Sequence, residues 1–398
     1  MSTTAQHKAT LHWFLPTYGD SRTIMPGGHG AGLHTGARDA DLNYLTQIAL
    51  AAERNGFESV LTPTGQWCED AWLATAALIG ATSRLKFLVA LRPGLVSPLL
   101  LAQQAATFQA LSGNRVLLNV VVGGEDHEQR SYGDTLSKPE RYARAGEVLD
   151  ITHHLWNKPE PLDYAGQYTT AENASLAKRP AVSPPIYLGG SSEGAIDIAS
   201  RHADVFLTWG ETPQAAGEKR ARVAEAAAER DRELDYGIRF HVIARPTTEE
   251  AWAEAGRLLS HISAEDVEKI QRGLAKSQSE SQRRMTQLHG QGHDFHSGQD
   301  PHELEVYPGL WAGVGLVRGG AGTALVGSYA EVAALIKEYI DEGFGHFILS
   351  GYPHLEETFH VGEGVVPELH KLGIEVAHHD SAVAASQHQQ VPFAPRTA

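Results

Sequence analysis

Short apolar runs and longer amphipathic runs alternate along this chain about eight times, and that alternation restricts the architecture more than any other feature. Leu11–Pro16, Ser59–Thr62, Leu85–Leu91, Val116–Val122, Pro185–Leu188, Val205–Thr208, Arg239–Ile243 and His346–Ser350 read as buried strands, several of them β-branched and most bounded by turn residues. Between them, Leu42–Asn55, Ala71–Gly80, Leu99–Leu111, Pro139–Leu155, Ala195–His202, Thr212–Arg230 and Val332–Gly343 carry apolar residues at helical spacing. Parallel strands need a long crossover, which a helix supplies, so the repeat means a closed parallel barrel or a doubly wound sheet. Eight strands in 398 residues favour the barrel, an α/β TIM (β/α)8 fold filling residues 1–375 as one domain.

Some segments do not fit the repeat. Residues 21–40 are glycine-rich and read as a loop after the first strand, and residues 247–330 read as an insertion. Within that insertion, Thr247–Gln287 has the pattern of helices with charged faces, and Gly290–Tyr307 reads as a flexible surface excursion. Residues 376–398 form a polar tail, either disordered or an arm wrapping a second subunit.

The net charge of -15 comes without any basic block, which excludes nucleic acid and anionic membranes as partners. A small anionic substrate stays compatible, because local arginines decide a pocket. No apolar run approaches the ~20 residues of a membrane span, and the N-terminus lacks an apolar signal core. Cys68 is the single cysteine, so no internal disulfide forms, and the chain is expected in a reducing, cytoplasmic compartment. The 21 histidines include no H-E-x-x-H and no tight ligand cluster, and the pairs His153-His154 and His378-His379 read as surface residues, so no metal is expected.

In such a barrel, chemistry gathers at the C-terminal ends of the strands. The run Trp311 to Gly327 places Arg318 at the head of a glycine-rich, nearly uncharged stretch, suited to a mobile lid that carries an arginine over a bound anion; a tight packed turn is the plainer alternative. Arg239 and His241 are two apart, which puts both on one face of a strand, where they would bind an anion and leave a group able to move a proton. Their alternation with Ile238, Phe240 and Val242 favours the polar face turned inward. Gly189-Gly190-Ser191-Ser192 joins a strand to a helix, and its N–H groups and hydroxyls suit a phosphate, or simply an N-capped turn. Cys68 lies beside Glu69 and Asp70, which disfavours a thiolate nucleophile and leaves it as a contact in the pocket wall. Trp67, Trp209 and Tyr352 are aromatic groups at strand tips.

These stretches together carry a resemblance. Trp13-Phe14-Leu15-Pro16-Thr17, Pro63-Thr64-Gly65, Cys68-Glu69-Asp70-Ala71-Trp72, the run Leu85 to Pro93, Gly189 to Ser192, Leu207 to Glu211, Gly237-Ile238-Arg239 with His241-Val242-Ile243, Trp311 to Gly327, and Leu349 to Glu357 resemble the flavin-dependent alkanesulfonate monooxygenases, members of the bacterial luciferase-like barrels. The likeness spans about residues 11 to 366. It implies a two-component system: a separate NAD(P)H:FMN reductase delivers reduced FMN (FMNH2), and the barrel uses it with O2 to split the carbon–sulfur bond of a sulfonate, giving an aldehyde and sulfite. By the same resemblance, Arg239, His241, Arg318, Tyr352, Trp209 and Cys68 belong to the catalytic site, and Thr64, Asn119, Tyr142, Gly190, Ser191 and Ser192 hold the flavin, with a homo-oligomer (dimer or tetramer) as the assembly.

The sequence also departs from that family, which usually has histidine at Tyr18, Arg-Ser at Gln66-Trp67 and threonine at Val122. A lost arginine and a gained tryptophan make the mouth bulkier and less positive, so a smaller or more apolar sulfonate is expected. The alternatives are a luciferase-like oxygenase acting on a sulfone, alkane or amine, a deazaflavin F420-dependent reductase on the same barrel, and a flavin-storing protein without catalysis.

Overall fold

A computed structural model describes residues 7–25, 36–288, 290 and 295–376. Eight parallel strands close into a barrel in sequence order: β1 (Lys8–Phe14), β2 (Ser59–Thr62), β3 (Lys86–Leu91), β4 (Val116–Val120), β5 (Ile186–Gly189), β6 (Val205–Trp209), β7 (Asp235–Arg245) and β8 (His346–Ser350), with β8 pairing back onto β1. The crossover helices are α1 (Leu42–Arg54), α2 (Ala71–Leu78), α3 (Pro98–Ser112), α4 (Lys138–Asn157), α5 (Glu193–His202) and α6 (Pro213–Ala228). After β7 come α7 (Thr248–Leu259), α8 (Ala264–Leu274) and α9 (Glu280–Leu288), and then α10 (Tyr329–Asp341) leads into β8. Among the described residues no helix is long and apolar enough to cross a membrane.

Strand period fixes two cores. Leu11, Trp13, Val60, Phe87, Val89, Leu118, Ile238, Phe240 and Phe347 point outward and pack under the helices. Their alternates Phe14, Leu61, Leu88, Leu117, Tyr187, Leu207 and Ile348 fill the barrel. A one-residue slip of any strand would exchange the two sets, so burial on both faces pins the register. Helix starts are set locally: Asp41, Asp70, Ser97 and Ser192 each accept a hydrogen bond from a backbone N–H of the first turn of α1, α2, α3 and α5, worth ~1 kcal/mol apiece.

The insertion differs from its sequence reading. β7 outlasts its neighbour: residues 235–239 pair with β6, and residues 241–245 pair with a further parallel strand, Ala324–Ser328. The run expected as a mobile lid is a packed wall here. Trp311, Val314, Leu316 and Val317 are fully buried among Ala251, Trp252, Ala255 and Leu258 of α7. Gln271 of α8 donates to the carbonyls of Gly315 and Leu316. A Cβ on Gly322 would lie 2.7 Å from the Cα of Gly315, so at this point the glycine serves close backbone approach.

Residues 26–35 and 291–294 of the two expected surface segments lie outside the described residues, but their flanks are ordered: Asp20 and Arg38 exchange backbone hydrogen bonds at 2.9 Å, and Glu305–Tyr307 pairs with Leu310–Trp311. Val376, assigned to the tail in the sequence reading, pairs with Ala9, and residues 377–398, His378-His379 included, lie outside the described residues. The hairpin Leu162–Ala165/Thr170–Ala174, beyond the barrel, was not expected from the sequence.

The N-terminal end of the barrel is plugged by a polar group. His12 is fully buried; its Nδ1 meets Ser59 Oγ at 2.7 Å and its Nε2 meets Nδ1 of His346 at 3.0 Å, with Tyr187 packed edge-on. Burial, then His346 and Lys86, hold the His12 pKa well below 6.5. The unfolded chain therefore binds this proton more readily, and stability present above about pH 6.5 drains away as pH falls. Urea midpoints measured from pH 7.5 to 5 are expected to drop in the natural protein and to drop less steeply in His12→Gln; equal slopes would remove His12 from the acid response.

Candidate functional site

The C-terminal ends of the strands surround a cavity of about 270 Å3. Of the residues singled out by sequence, Arg239, His241, Arg318, Tyr352, Trp209, Thr64, Asn119, Tyr142 and Gly190 line it. They come from six different barrel strands or the loops that follow them, and from α4 and the insertion. Cys68, Ser191 and Ser192 do not line it.

Arg239 projects inward from β7, between Trp209 of β6 and Ile348 of β8. Its guanidinium carbon stands 4.3 Å from the centre of the Phe14 ring. The group is enclosed except where it opens on the cavity. Its Nε is buried without a hydrogen-bond partner, and no carboxylate among the described residues lies within ion-pair distance. Burial, and secondarily the neighbouring Arg318, lowers its pKa, with Tyr18 and Tyr352 opposing. Arg318 is the more deeply buried of the two. Its Nε donates to the carbonyl of Ile24 at 2.9 Å, and its guanidinium carbon lies 5.0 Å from the Tyr352 ring and 5.6 Å from the Tyr18 ring. Two permanent cations therefore back onto aromatic rings at one end of the cavity. The Tyr352 hydroxyl is buried there without a partner, and burial above all raises its pKa, so it stays a proton donor.

His241 does not suit the proton-moving role suggested by its position. Its Nε2–H donates to the carbonyl of Ala321 at 3.0 Å, Nδ1 lies 2.9 Å from Ser350 Oγ, and the ring stacks on Tyr352 at 5.3 Å. Burial first, then Arg239 and Arg318, drive its pKa well below 6.5. A neutral ring with both nitrogens engaged is a buttress that orients Tyr352. Cys68 is the neutral thiol expected from its acidic neighbours, its thiol donating toward the carbonyls of Gly65 and Pro63 and burial pushing its pKa up to about 12, but it does not line the cavity as a catalytic residue would.

At the opposite side is the Gly189–Ser192 turn. Gly190 has φ +151°, and a Cβ there would collide with the Ala195 Cβ at 2.5 Å while facing the Tyr142 hydroxyl at 3.5 Å. Tyr142 lies close to Ser192, the residue that caps α5. Ser191 Oγ meets Ser281 Oγ at 3.0 Å. These groups form a small polar cradle at a helix N-terminus, beside the cavity.

Sequence reasoning missed a strap across the mouth. Ser277, Ser279, Ser281 and Gln282 line the cavity. The backbone N–H of Gln278 donates to Gly124 and its side chain to Asp126, while Lys138 donates to the Gln278 carbonyl at 2.7 Å. Gly320 donates to Gln282, and Arg284 pairs with Glu211, which also holds Lys219 at 2.8 Å. The serine-rich stretch at 277–281 was the available signal. Arg92 and Glu128, paired at 2.6 Å and almost fully buried, were missed as a pair as well.

The profile of the luciferase-like monooxygenases matches residues 21–346, most of the chain. The protein belongs to the luciferase-like monooxygenase family. Among solved structures this family member is similar to a riboflavin lyase seen with modified FMN and riboflavin (17% identity, TM-score 0.74, 94% of each chain). It is similar also to the long-chain alkane monooxygenase LadA (19%, 0.72, 94% of this chain and 93% of that one) and to the EDTA monooxygenase of Chelativorans sp. BNC1 (20%, 0.67, 92% and 94%). At these identities the likeness establishes the fold. The luciferase-like barrel accounts for the placement of the site at the strands' C-terminal ends, where loops vary without disturbing the core.

The residues present fit a flavin nucleotide. The glycine turn, into which no Cβ fits, lies at the start of α5 with Tyr142 and Ser192, which suits a phosphate. The cavity beside it presents Thr64, Asn119 and Trp209 to a ring system, and the unpartnered Nε of Arg239 suits an anionic guest.

Proposed function

We propose that the protein is an FMNH2- and O2-dependent monooxygenase that converts an alkanesulfonate to an aldehyde and sulfite. The observation that carries this reading is Arg239: a half-buried, permanently charged group whose Nε is buried and unpartnered, with no carboxylate counter-ion among the described residues, facing the same cavity as Arg318. Such a charge is costly to bury and is compensated by an anion that arrives with the guest. A sulfonate is anionic throughout the working pH range and matches the guanidinium fork.

When bound, reduced FMN supplies the electrons that activate O2. The balance is RCH2SO3⁻ + FMNH2 + O2 giving RCHO, bisulfite, FMN and water. The chain's own residues bind and enclose. Tyr142, Ser192 and the α5 N-terminus hold the phosphate, and Thr64, Asn119 and Trp209 flank the ring. Arg239 and Arg318 hold the sulfonate, and Tyr352 donates its hydroxyl proton as a hydrogen bond to the same guest. The strap and the buried Trp311–Val317 wall keep bulk water from the enclosed end. A separate NAD(P)H:FMN reductase and self-association of the chain complete the proposal.

The test is an anaerobic titration with FMNH2, then an oxygen pulse in the presence of C1 to C10 alkanesulfonates and arylsulfonates, with sulfite as readout. Saturable FMNH2 binding and sulfite formed in step with O2 consumption are expected, with reduced F420 binding much more weakly. FMNH2 binding without sulfite from any sulfonate would overturn the substrate assignment, and preferential binding of F420 would overturn the cofactor.

A further inference from the structure

The two guanidiniums share one aromatic backing, and that backing continues away from them. Phe14 lies under Arg239 and stands 6.1 Å from Tyr18, ring to ring; Tyr18 lies beside Arg318 and packs on Trp67 at 5.4 Å. Phe14, Tyr18, Trp67, Leu61 and Ile348 all line the cavity, and none of these five side chains is charged. A guest anchored by its anion at Arg239 and Arg318 therefore has an apolar wall along Tyr18, with Trp67 packed on the next side of that ring.

Trp67 is also held in place. It follows β2 in the loop before α2, where a Cβ on Gly65 would lie 2.4 Å from Trp67 Nε1 and 2.9 Å from its Cδ1, so the indole rests directly on the glycine backbone. The same loop is tied to Glu128, which accepts from the Gln66 N–H and is itself fixed by Arg92 at 2.6 Å. The half-buried indole rests between Gly65 and Tyr18 in a loop anchored by a buried ion pair, and these contacts hold it as a wall of the cavity.

We infer that Trp67 sets the length of the organic part of the substrate, restricting the cavity to short anions whose tails end against its indole. The inference rests on the proposed sulfonate reading for the identity of the head group, while the length limit itself follows from the wall. Trp67 is then a specificity residue that touches the tail, one ring beyond Tyr18.

The experiment compares the natural protein with Trp67→Ala and Trp67→Phe over 1-alkanesulfonates from C2 to C10. Two readouts are taken on the flavin-loaded protein: anaerobic calorimetric affinity for each sulfonate, and kcat/KM for sulfite release. The natural protein is expected to lose affinity and kcat/KM beyond a short chain length. Trp67→Ala is expected to move that limit to longer chains, improving decanesulfonate relative to ethanesulfonate by about tenfold or more, the scale of one or a few methylenes in an apolar pocket. The shift should appear mainly in KM, with FMNH2 affinity unchanged and Trp67→Phe intermediate. An unmoved chain-length profile in Trp67→Ala or, should that variant not fold, in Trp67→Phe, overturns the inference. If the natural protein released no sulfite from any sulfonate, the functional reading would fail while the anaerobic affinities for alkyl sulfonates and alkyl carboxylates still located the stop.

Discussion

Arg239→Met is expected to lower kcat/KM for sulfite release by ~10²–10³-fold, the usual cost of removing one preorganised donor from a water-poor site, while leaving the protein at least as stable as before. The two halves of this result follow from one geometry. The guanidinium is half-buried over Phe14 with its Nε buried and unpartnered, and no carboxylate among the described residues is within ion-pair reach. Its contact with the ring returns about 2 kcal/mol, whereas taking an unpaired ion out of water costs several kcal/mol. Methionine fills similar volume without charge and removes that cost. Thermal midpoints would be measured beside kinetics for Arg239→Met and Arg239→Lys. A rise or no change in midpoint with collapsed turnover identifies a charge kept for its guest. A large fall in midpoint would show instead that Arg239 is a structural member of the wall, and undiminished turnover would remove it from the site. Lysine keeps the charge but loses the fork, so it should recover only part of the activity.

The barrel was legible because its signals are local. A strand buried on both faces is a short apolar run, and a crossover helix is a long periodic one, so each of the eight strands and the helices between them appears near its expected residues. What escaped has weak or misleading local signals. The hairpin at Leu162–Ala165 and Thr170–Ala174 is largely exposed and polar, with little apolar contrast to mark it. The strand Ala324–Ser328 was hidden at the end of a glycine-rich run whose composition suggested mobility, whereas Gly322 lies against the Gly315 backbone and the strand pairs with β7, far away in sequence.

In the site, the inward pairing of Arg239 and His241 was visible from strand period alone. The actual state of His241 was not, because it depends on Ser350 and Ala321, which are 109 and 80 residues distant. The sequence indicates which faces are polar; the partners that settle tautomer and charge come from the closure of the barrel.

Asp20→Ala is expected to destabilise the protein by about 3–5 kcal/mol, the scale for breaking a buried polar pair from one side. Asp20 follows β1, and its side chain is fully enclosed. Oδ1 accepts from the Ser21 N–H at 2.8 Å and from His354 Nδ1–H at 2.8 Å; Oδ2 accepts from the His354 N–H at 2.7 Å and from the Tyr44 hydroxyl at 2.6 Å. One carboxylate thus joins β1, α1 and the turn after β8, closing the barrel where its first and last strands meet, two residues from Tyr352. Alanine would leave four donors without this acceptor, three of them buried, each of those costing about 1–3 kcal/mol before any relaxation. Asparagine keeps one acceptor oxygen and should lose less.

The pH dependence separates this from a simple packing defect. Burial raises the Asp20 pKa, but His354, Tyr44 and the Ser21 N–H more than reverse it, leaving it below the ordinary carboxylate range. A depressed folded-state pKa contributes stability above the unfolded value of about 4 and loses it as pH falls further. The gap between natural protein and Asp20→Asn, read as urea midpoints, should therefore be full at pH 7 and shrink below about pH 4. A gap that stayed constant down to pH 3 would mean that the charge on Asp20 contributes nothing and that shape alone holds the two strands together.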